Sequence, residues 1–275
     1  MSKIKIVSDS SSDITTLSDV SYATAPLKII TAEKQYTDDA RLDAEAMATD
    51  LLAYNGRSST SCPSPDDWIE SFGDAEEILC ITITALLSGS YNTACIAKQI
   101  YEEQNPGRRV YVLNSRSTGP EMALIINKMR EMILDGKSFD EIVSFVEGYH
   151  TELLFVLSSM KNLANNGRVS KVAAKLAGIL GIRAIGRASE EGTLEMLDKV
   201  KGEGKAVEAT LQYMIEMGYN GGKVNIAHCL NELSAQKMKD AILAAFPNAA
   251  AEVYKLGGLC SFYAEKGGLL VGFEA

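Results

Sequence analysis

Hydrophobic residues recur with two alternating periods through the first half of the chain. Short apolar runs of strand length alternate with longer stretches in which apolar residues recur at helical spacing. One such stretch begins with Ser64, Pro65 and two aspartates, a composition typical of a helix N-terminus. The predicted strands are residues 4–7, 26–30, 77–83 and 109–113. The predicted helices are residues 42–54, 65–72, 91–104, a segment within 119–135, and 138–150. Such an alternation indicates a parallel sheet with helices on its faces.

The pattern changes after residue 152, where strands pair through short turns. A turn at 189–192 separates two strand-like segments, which predicts a hairpin. The predicted strands of this half are residues 153–158, 182–188, 194–200, 223–227, 251–256, 259–262 and 269–273. The predicted helices are residues 172–178, 206–217 and 234–246, with a turn at 165–167. We therefore expect an α/β protein with two domains, a parallel-sheet α/β domain of residues 1–152 and an α+β domain of residues 153–275 with a mixed or antiparallel sheet.

The composition is that of a soluble globular protein, with 46% hydrophobic and 23% charged residues among 275. The chain contains no apolar run of 18 residues and does not begin with the basic-then-apolar order of a signal peptide, so we expect a cytoplasmic location without stable membrane insertion. Its five cysteines lack CxxC spacing and its two histidines lie far apart. We expect reduced core thiols, no metal site and no cofactor.

The formal net charge of −9 argues against a nucleic acid as the main partner, because phosphate contacts require a basic surface. Residues 161–205 differ from the rest, with nine basic and five acidic residues, whereas the remainder carries a balance of −13. This basic segment is either a docking surface for an acidic partner or phosphorylated ligand, or an ordinary solvated helix and hairpin.

Four clusters of hydroxyl side chains follow predicted strands or precede predicted helices. They are DSSSD at 9–13, RSSTS at 57–61, SGS at 88–90 and NSRST at 114–118. We expect them on one rim of the parallel sheet, where helix N-termini favour an anion and hydroxyl groups add hydrogen-bond donors. Each cluster is also explained as a plain helix N-cap.

Catalytic interpretations of these clusters have weaker support. Asp9 and Asp13 are candidates for a general acid or base, or for magnesium ligands, but a solvated turn explains them as well. Ser88 lacks the GxSxG context of a nucleophile, and neither GxxxxGK[ST] nor GxGxxG after a strand is found. Ligand binding without chemistry is therefore favoured over an enzyme that acts on a small molecule through Asp9 or Asp13.

Several motifs in order along the chain resemble those of the DegV family. They are VSDSSSD at 7–13, TSCPS at 60–64, LSGSYN at 87–92, LSSMKNL at 157–163, NGRVS at 166–170 and LDKVKG at 197–202. DegV-like proteins are bacterial fatty-acid-binding proteins, and some serve as the B component of fatty acid kinase. The resemblance implies a non-catalytic protein that binds a long-chain fatty acid in a buried tunnel between the domains and presents its carboxyl to a separate ATP-dependent acyl kinase subunit. A lipid-sensing regulatory protein without a kinase partner remains an alternative.

The resemblance also implies roles for individual residues. The family's carboxylate-binding threonine and serine fall on Thr60 and Ser88. The residues expected near the head group are Ser10, Ser11, Ser61, Gly89, Ser90, Asn92, Ser115 and Tyr263. The residues expected at the kinase-docking surface are Arg168, Lys199 and Lys201. Two positions depart from the family pattern, because YAEKG at 263–267 replaces HxGPG and Ser90 replaces a threonine. Tyr263 donates a hydrogen bond but is neutral near pH 7, so the hand-off to a kinase is the part of the function that this departure affects.

Burial of a lipid tail would supply most of the affinity. At about 0.8 kcal/mol per methylene, roughly 14 methylenes contribute about 11 kcal/mol before association costs, against about 1 kcal/mol for each neutral hydrogen bond to the head group. The tunnel walls must then be apolar. The candidate wall segments are residues 123–126, 153–157, 172–174 and 176–180, each of which is equally well explained as ordinary core.

Overall fold

The computed structural model describes residues 3–170 and 181–275. The predicted helix at 172–178 and the candidate wall segments at 172–174 and 176–180 lie outside these ranges. The strands are β1 Ile4–Asp9, β2 Ser21–Ala25, β3 Lys28–Ile30, β4 Gln35–Thr37, β5 Ser59–Ser61, β6 Glu77–Thr82, β7 Arg109–Asn114, β8 Thr151–Leu157, β9 Ile182–Ala188, β10 Leu194–Lys201, β11 Lys223–His228, β12 Ala250–Lys255 and β13 Leu269–Glu274. The described α-helices are α1 Ala44–Ala53, α2 Pro65–Phe72, α3 Ser90–Gln104, α4 Gly119–Leu134, α5 Phe139–Val146, α6 Lys161–Asn165, α7 Glu203–Glu216, α8 Glu232–Ala245 and α9 Gly258–Ala264. None of these helices combines the length and the apolar composition that a membrane crossing requires.

The N-terminal half contains a four-stranded parallel sheet in the order β2-β1-β6-β7, which confirms that a parallel sheet is present. The strand predicted at 26–30 is not part of it, because β3 pairs in a separate antiparallel sheet and β2 occupies the edge of the parallel sheet. Helices α2 and α3 cover one face, where Trp68, Phe72 and Tyr101 are buried against the strands. Helix α2 begins where the sequence predicts, because Ser64 and Asp67 form a reciprocal capping box. Helices α4 and α5 cover the other face.

The second sheet has six strands in the order β10-β9-β8-β13-β11-β12, and all its pairs are antiparallel except β11 with β12. This confirms the mixed sheet and the predicted β9–β10 hairpin. Helices α7 and α8 cover one of its faces. Strand β8 begins at Thr151, next to the boundary expected at residue 152, and the division into two domains stays a prediction.

Helix α4 lies between the two sheets, packing on β1 in one direction and on β11 and β13 in the other. Gly272 of β13 permits the close approach. A β-carbon at this position would lie 2.4 Å from the backbone nitrogen of Glu121, a distance that no side chain tolerates. The N-terminal turn of α4 is therefore held directly against the centre of the second sheet.

The strand predicted at 259–262 is wrong, because these residues belong to helix α9. Leu259, Cys260 and Phe262 are all buried, so neither a helical nor a strand period is visible in the sequence. The helix is stabilised at its N-terminus by Asp38, whose carboxylate accepts hydrogen bonds from the backbone N–H groups of Gly258 at 2.7 Å and Leu259 at 2.9 Å.

A small antiparallel sheet in the order β4-β3-β5 lies beside the parallel sheet. Strand β5 contains Thr60, so the cluster at 57–61 does not lie on the rim of the parallel sheet as expected. It forms a separate wall of the site described next. Three-residue strands have too short a pattern to be distinguished from a loop.

Candidate functional site

A cavity of about 270 Å³ is walled by strands β8, β10 and β13 of the second sheet, by β5 of the small sheet, and by the segments that follow β6 and β7 of the parallel sheet. Most of its lining is apolar. The apolar side chains are those of Leu27, Cys62, Ile83, Leu87, Leu153, Phe155, Leu157, Leu163, Leu194, Leu259, Cys260, Ala264 and Leu270. The three residues from β8 are alternate ones, as expected for one face of a strand. The wall candidates at 153–157 therefore contribute every second residue, whereas Ile125 and Ile126 pack in the core under the parallel sheet.

The polar part of the lining consists mainly of uncharged hydroxyl groups. Thr60 and Tyr263 form a hydrogen bond of 2.8 Å between Oγ1 and Oη, joining β5 to α9. Burial raises the pKa of Tyr263, so its phenol stays protonated at neutral pH. Ser61 and Thr118 complete the hydroxyl groups of the lining together with Ser88.

Ser88 lies in the turn that precedes α3. Its Oγ accepts the backbone N–H of Ser90 at 3.3 Å, which leaves the hydroxyl hydrogen available as a donor. The next residue, Gly89, is the N-cap of α3 and forms no side-chain cap. The start of this helix therefore faces the cavity beside Ser88, at the end where a carboxylate would be favoured by the helix dipole.

Arg168 also lines the cavity, while its expected role at the kinase-docking surface stays a prediction. Its Nε donates to the carbonyl oxygen of Leu87 at 2.9 Å, and its Nη1 donates to that of Asn166. The guanidinium is thus fixed next to the Ser88 turn, and its charge opposes the rise in the pKa of Tyr263. It is the cationic side chain among the described lining residues.

Lys199 and Lys201 lie elsewhere, exposed on β10 at the edge of the second sheet. Within residues 3–170 and 181–275, neither lysine belongs to an ion pair. Two arginines of the same basic segment are neutralised, Arg183 by Glu203 and Arg187 by Glu195. In the described part of this segment, the unpaired positive charge is therefore carried by the lysines and by Arg168.

The carboxylate of Asp9 is buried and structural, so the solvated turn considered from the sequence is wrong. Its oxygens accept hydrogen bonds from the hydroxyls of Ser11 and Ser90, both at 2.5 Å, and from the backbone N–H of Ile83 at 2.9 Å. Burial raises the pKa of Asp9. Ser10 accepts the backbone N–H of Leu27 at 3.0 Å. These residues do not line the cavity, and their hydrogen bonds stabilise the segments behind its wall.

Asp13 is likewise occupied in holding helix α9. Its Oδ1 accepts the backbone N–H of Gly257 at 2.9 Å, and burial raises its pKa to about 8. Together with Asp38 it positions the helix that carries Cys260, Tyr263 and Ala264 into the cavity. Neither Asp9 nor Asp13 is placed to act on a ligand there, which removes the basis for the enzymatic alternative.

Two further residues expected near the head group do not line the cavity. Asn92 is exposed on α3, and Ser115 lines a different, polar cleft, where its hydroxyl donates to the carbonyl oxygen of Ser117 at 3.1 Å. Sequence reasoning missed Leu27 and Cys260 as lining residues, and it did not single out Thr118 from the cluster at 114–118. Only the position of Thr118 after a strand could have indicated its role. In the described part of the chain, no group of three potential metal ligands occurs.

The chain belongs to the DegV family. The family model described as "Uncharacterised protein, DegV family" matches residues 3–275. A DegV domain-containing protein of Streptococcus pneumoniae is 41% identical over 276 residues, covering 98% of each chain.

Solved structures show the same fold with lipid bound. A DegV family protein from Eubacterium eligens loaded with heptadecanoic acid has 43% identity and a TM-score of 0.96, covering 99% of both chains. The Streptococcus pneumoniae fatty acid kinase (Fak) B3 protein, loaded with linoleic acid, has 41% identity and a TM-score of 0.96, covering 98% of this chain and 99% of that one.

Proposed function

We propose that this protein binds a long-chain fatty acid, with the hydrocarbon tail in the apolar cavity and the carboxyl at the hydroxyl groups of Thr60 and Ser88. The observation that carries the proposal is a leucine-lined cavity whose polar lining contains these two hydroxyls and Arg168. The bound lipids of two structural neighbours support it. The protein acts without catalysis and without a cofactor.

The tail and the carboxyl of the fatty acid contribute differently to the free energy of binding. Each methylene placed among the leucines contributes about 0.8 kcal/mol, while each neutral hydroxyl contributes about 1 kcal/mol by hydrogen bonding. The tail therefore supplies affinity and the hydroxyls orient the carboxyl. Arg168, fixed by the Leu87 carbonyl, adds the positive charge that the Tyr263 phenol does not provide.

We further infer that the bound carboxyl is presented to a separate ATP-dependent acyl kinase subunit in the cytoplasm, and that Lys199 and Lys201 contribute to docking. The fatty acid kinase component among the structural neighbours supports this partner. The unpaired lysines on the edge strand suit an acidic surface.

The head-group assignment is tested with the double variant Ser88→Ala and Thr60→Val. Lipid extraction and mass spectrometry of the purified protein measure retained fatty acid, and a titration with the same acid measures affinity. We expect the double variant to bind about 30-fold more weakly, as the loss of two neutral hydrogen bonds implies. Ser115→Ala is the matched control, since that hydroxyl lies outside the cavity. Undiminished retention by the double variant would reject these two residues as the carboxyl site.

The docking assignment is tested separately with Lys199→Glu and Lys201→Glu. Phosphorylation of the bound fatty acid by an acyl kinase subunit should fall in this double variant, while fatty-acid retention stays unchanged. Lys237→Glu, on the exposed face of α8, is the control for a change of charge alone. Equal phosphorylation of all three proteins would exclude the β10 lysines from the docking surface.

A further inference from the structure

The turn of the β9–β10 hairpin, residues 189–192, belongs to the second sheet but lies against the N-terminal half of the chain. Thr84, in the segment that follows β6, donates a hydrogen bond from its Oγ1 to the carbonyl oxygen of Gly192 at 2.8 Å. Arg116, in the segment that follows β7, donates from its Nη1 to the carbonyl oxygen of Glu190 at 3.4 Å. The hairpin turn is therefore attached to the rim of the parallel sheet.

The contact between Thr84 and Gly192 is buried and closely packed. Thr84 is only 2% exposed, and Gly192 is buried as well. The φ angle of Gly192 is +89°, and a β-carbon at this position would lie 2.2 Å from Oγ1 of Thr84 and 3.0 Å from the backbone of Arg116. Because 2.2 Å is far below a van der Waals contact distance, only glycine lets the Thr84 hydroxyl reach this carbonyl oxygen.

Thr84 also closes the turn that leads to Ser88. Its Oγ1 accepts the backbone N–H of Leu86 at 3.3 Å, as in other turns stabilised by a threonine hydroxyl. Its carbonyl oxygen accepts the backbone N–H of Leu87, also at 3.3 Å. Since Ser88 is the next residue along the chain, the position of its hydroxyl depends on the conformation of this turn.

The hydrogen bond to Gly192 connects two walls of the lipid cavity. Leu194, two residues after Gly192, lines the cavity from the hairpin. Leu87 and Ser88 line it from the segment after β6. A further connection runs from Nε of Arg168 to the carbonyl oxygen of Leu87. The Ser88 turn is thus attached to the second half of the chain on two sides.

Thr84 itself does not line the cavity. Its hydroxyl hydrogen is used in the bond to Gly192, and its oxygen accepts the N–H of Leu86. A ligand in the cavity is therefore affected by Thr84 only through the residues that Thr84 positions.

We propose that Thr84 is a positioning residue for the fatty-acid carboxyl, because its hydrogen bond to Gly192 holds the Ser88 turn in the conformation that binds this group. The inference rests on the proposed head-group role of Ser88. A hydrogen bond weakens steeply when its distance or angle changes, whereas burial of a hydrocarbon tail has no preferred direction. Movement of the turn should therefore weaken binding of the carboxyl and leave the contribution of the tail unchanged.

The experiment is a double-mutant cycle on delipidated full-length protein, titrated with hexadecanoic acid. We expect Thr84→Val and Ser88→Ala each to weaken binding by about fivefold, the factor that corresponds to one neutral hydrogen bond. The combined variant should bind as Ser88→Ala alone does, because Thr84 acts through the Ser88 hydroxyl. Thr84→Ser keeps a hydroxyl at this position and should bind as the wild type does.

Gly192→Ala breaks the same contact from its other side and should give the same loss of affinity, which again disappears when Ser88 is already alanine. Gly202→Ala is the matched control, because Gly202 also has a φ of +89° but nothing lies within 4 Å of an added β-carbon. This control shares the backbone strain and lacks the contact. We expect it to bind as the wild type does, and equal affinities of the Gly192→Ala and Gly202→Ala variants would contradict the proposal.

Comparison of acids that differ by two methylenes provides a further readout. The ratio of their affinities reports the tail contacts, so it should be the same in the wild type and in Thr84→Val. A smaller ratio in the variant would show that the substitution damages the apolar wall, which would overturn the positioning role.

Failure of this inference and failure of the head-group assignment give different results. Wild-type affinity in Thr84→Val together with weak binding in Ser88→Ala overturns the role of Thr84 and leaves the proposed function intact. A loss in Thr84→Val that adds in full to the loss in Ser88→Ala also overturns it. If Ser88→Ala binds as the wild type does, Ser88 is not the carboxyl site, and the role of Thr84 is rejected with it.

Discussion

Replacement of Glu121 by glutamine should stabilise the protein at high pH, although Glu121 is buried and hydrogen-bonded. Its folded pKa of about 7 lies above the ordinary value of 4.5 because the ionised form loses hydration on burial. The native state therefore binds more protons than the unfolded state between these two pH values. The contribution of the carboxyl to stability is fully present below pH 4.5 and is lost as pH rises through 7.

The size of the effect follows from the difference in pKa. The difference between the folded pKa of about 7 and the ordinary value of 4.5, at about 1.4 kcal/mol for each pKa unit, corresponds to roughly 3 kcal/mol of stability lost by pH 8. Glu121→Gln removes this loss and retains the acceptor for the Thr151 hydroxyl. The variant should therefore match the wild type near pH 4.5 and exceed its free energy of unfolding by about 3 kcal/mol at pH 8.

The assay is urea unfolding of delipidated protein, followed by circular dichroism at several pH values between 4.5 and 8. Asp13, with a pKa of about 8, contributes a slope of the same sign in both proteins, so the difference between the two curves isolates Glu121. The surface variant Glu208→Gln should follow the wild-type curve. The reasoning is refuted if the Glu121→Gln and wild-type curves run parallel over the whole range, or if the variant is the less stable protein at pH 8.

The remaining predictions concern the lipid site and the packing between sheets. Tyr263→Phe removes the 2.8 Å hydrogen bond to Thr60 and should weaken fatty-acid affinity about fivefold in a binding titration. Shortening the fatty acid by two methylenes should weaken binding more, because it costs about 1.6 kcal/mol. A larger loss of affinity for the phenylalanine variant than for the shorter acid would contradict the prediction. Gly272→Ala places a β-carbon 2.4 Å from the Glu121 backbone and should lower the free energy of unfolding by about 3 kcal/mol or more, measured in urea. Gly204→Ala on α7 should instead raise the free energy of unfolding by about 0.5–1 kcal/mol, because no atom lies within 4 Å of the added β-carbon. A loss of stability in this variant would show that the space around position 204 is occupied.

Those parts of the fold whose pattern is local were predictable from the sequence. Buried parallel strands such as β6 carry continuous apolar runs, and α2 has its own capping residues next to it in the chain. Helix α9 could not be predicted in this way. Its residues are buried all round, and the carboxylate of Asp38 that caps it lies 220 positions away from Gly258.

In the candidate site, too, features with a local sequence signal were predictable, and contacts between distant residues were not. The turn containing Ser88 was visible because a hydroxyl cluster follows a strand, which is a local signal. The contact between Thr60 and Tyr263 joins residues 203 positions apart, and the hydrogen bond of Arg168 to the Leu87 carbonyl spans 81 positions. Only tertiary structure brings them together, and no spacing in one sequence encodes their proximity. Conversely, the sequence around Asp9 is typical of an exposed turn, yet Asp9 is buried. Its carboxylate accepts hydrogen bonds from several segments of the chain, which local sequence does not reveal.

The position of β13 has a consequence for how the second sheet assembles. This strand pairs with β8 on one side and β11 on the other, in the middle of its sheet. Without β13, the strands β10, β9 and β8 have no connection to β11 and β12, and the cavity lacks the wall formed by Leu270. These pairings join segments that are distant along the chain, which makes folding of such a sheet slow. The sheet and the cavity are therefore completed in the same folding step, and a substitution that prevents β13 from pairing would abolish both.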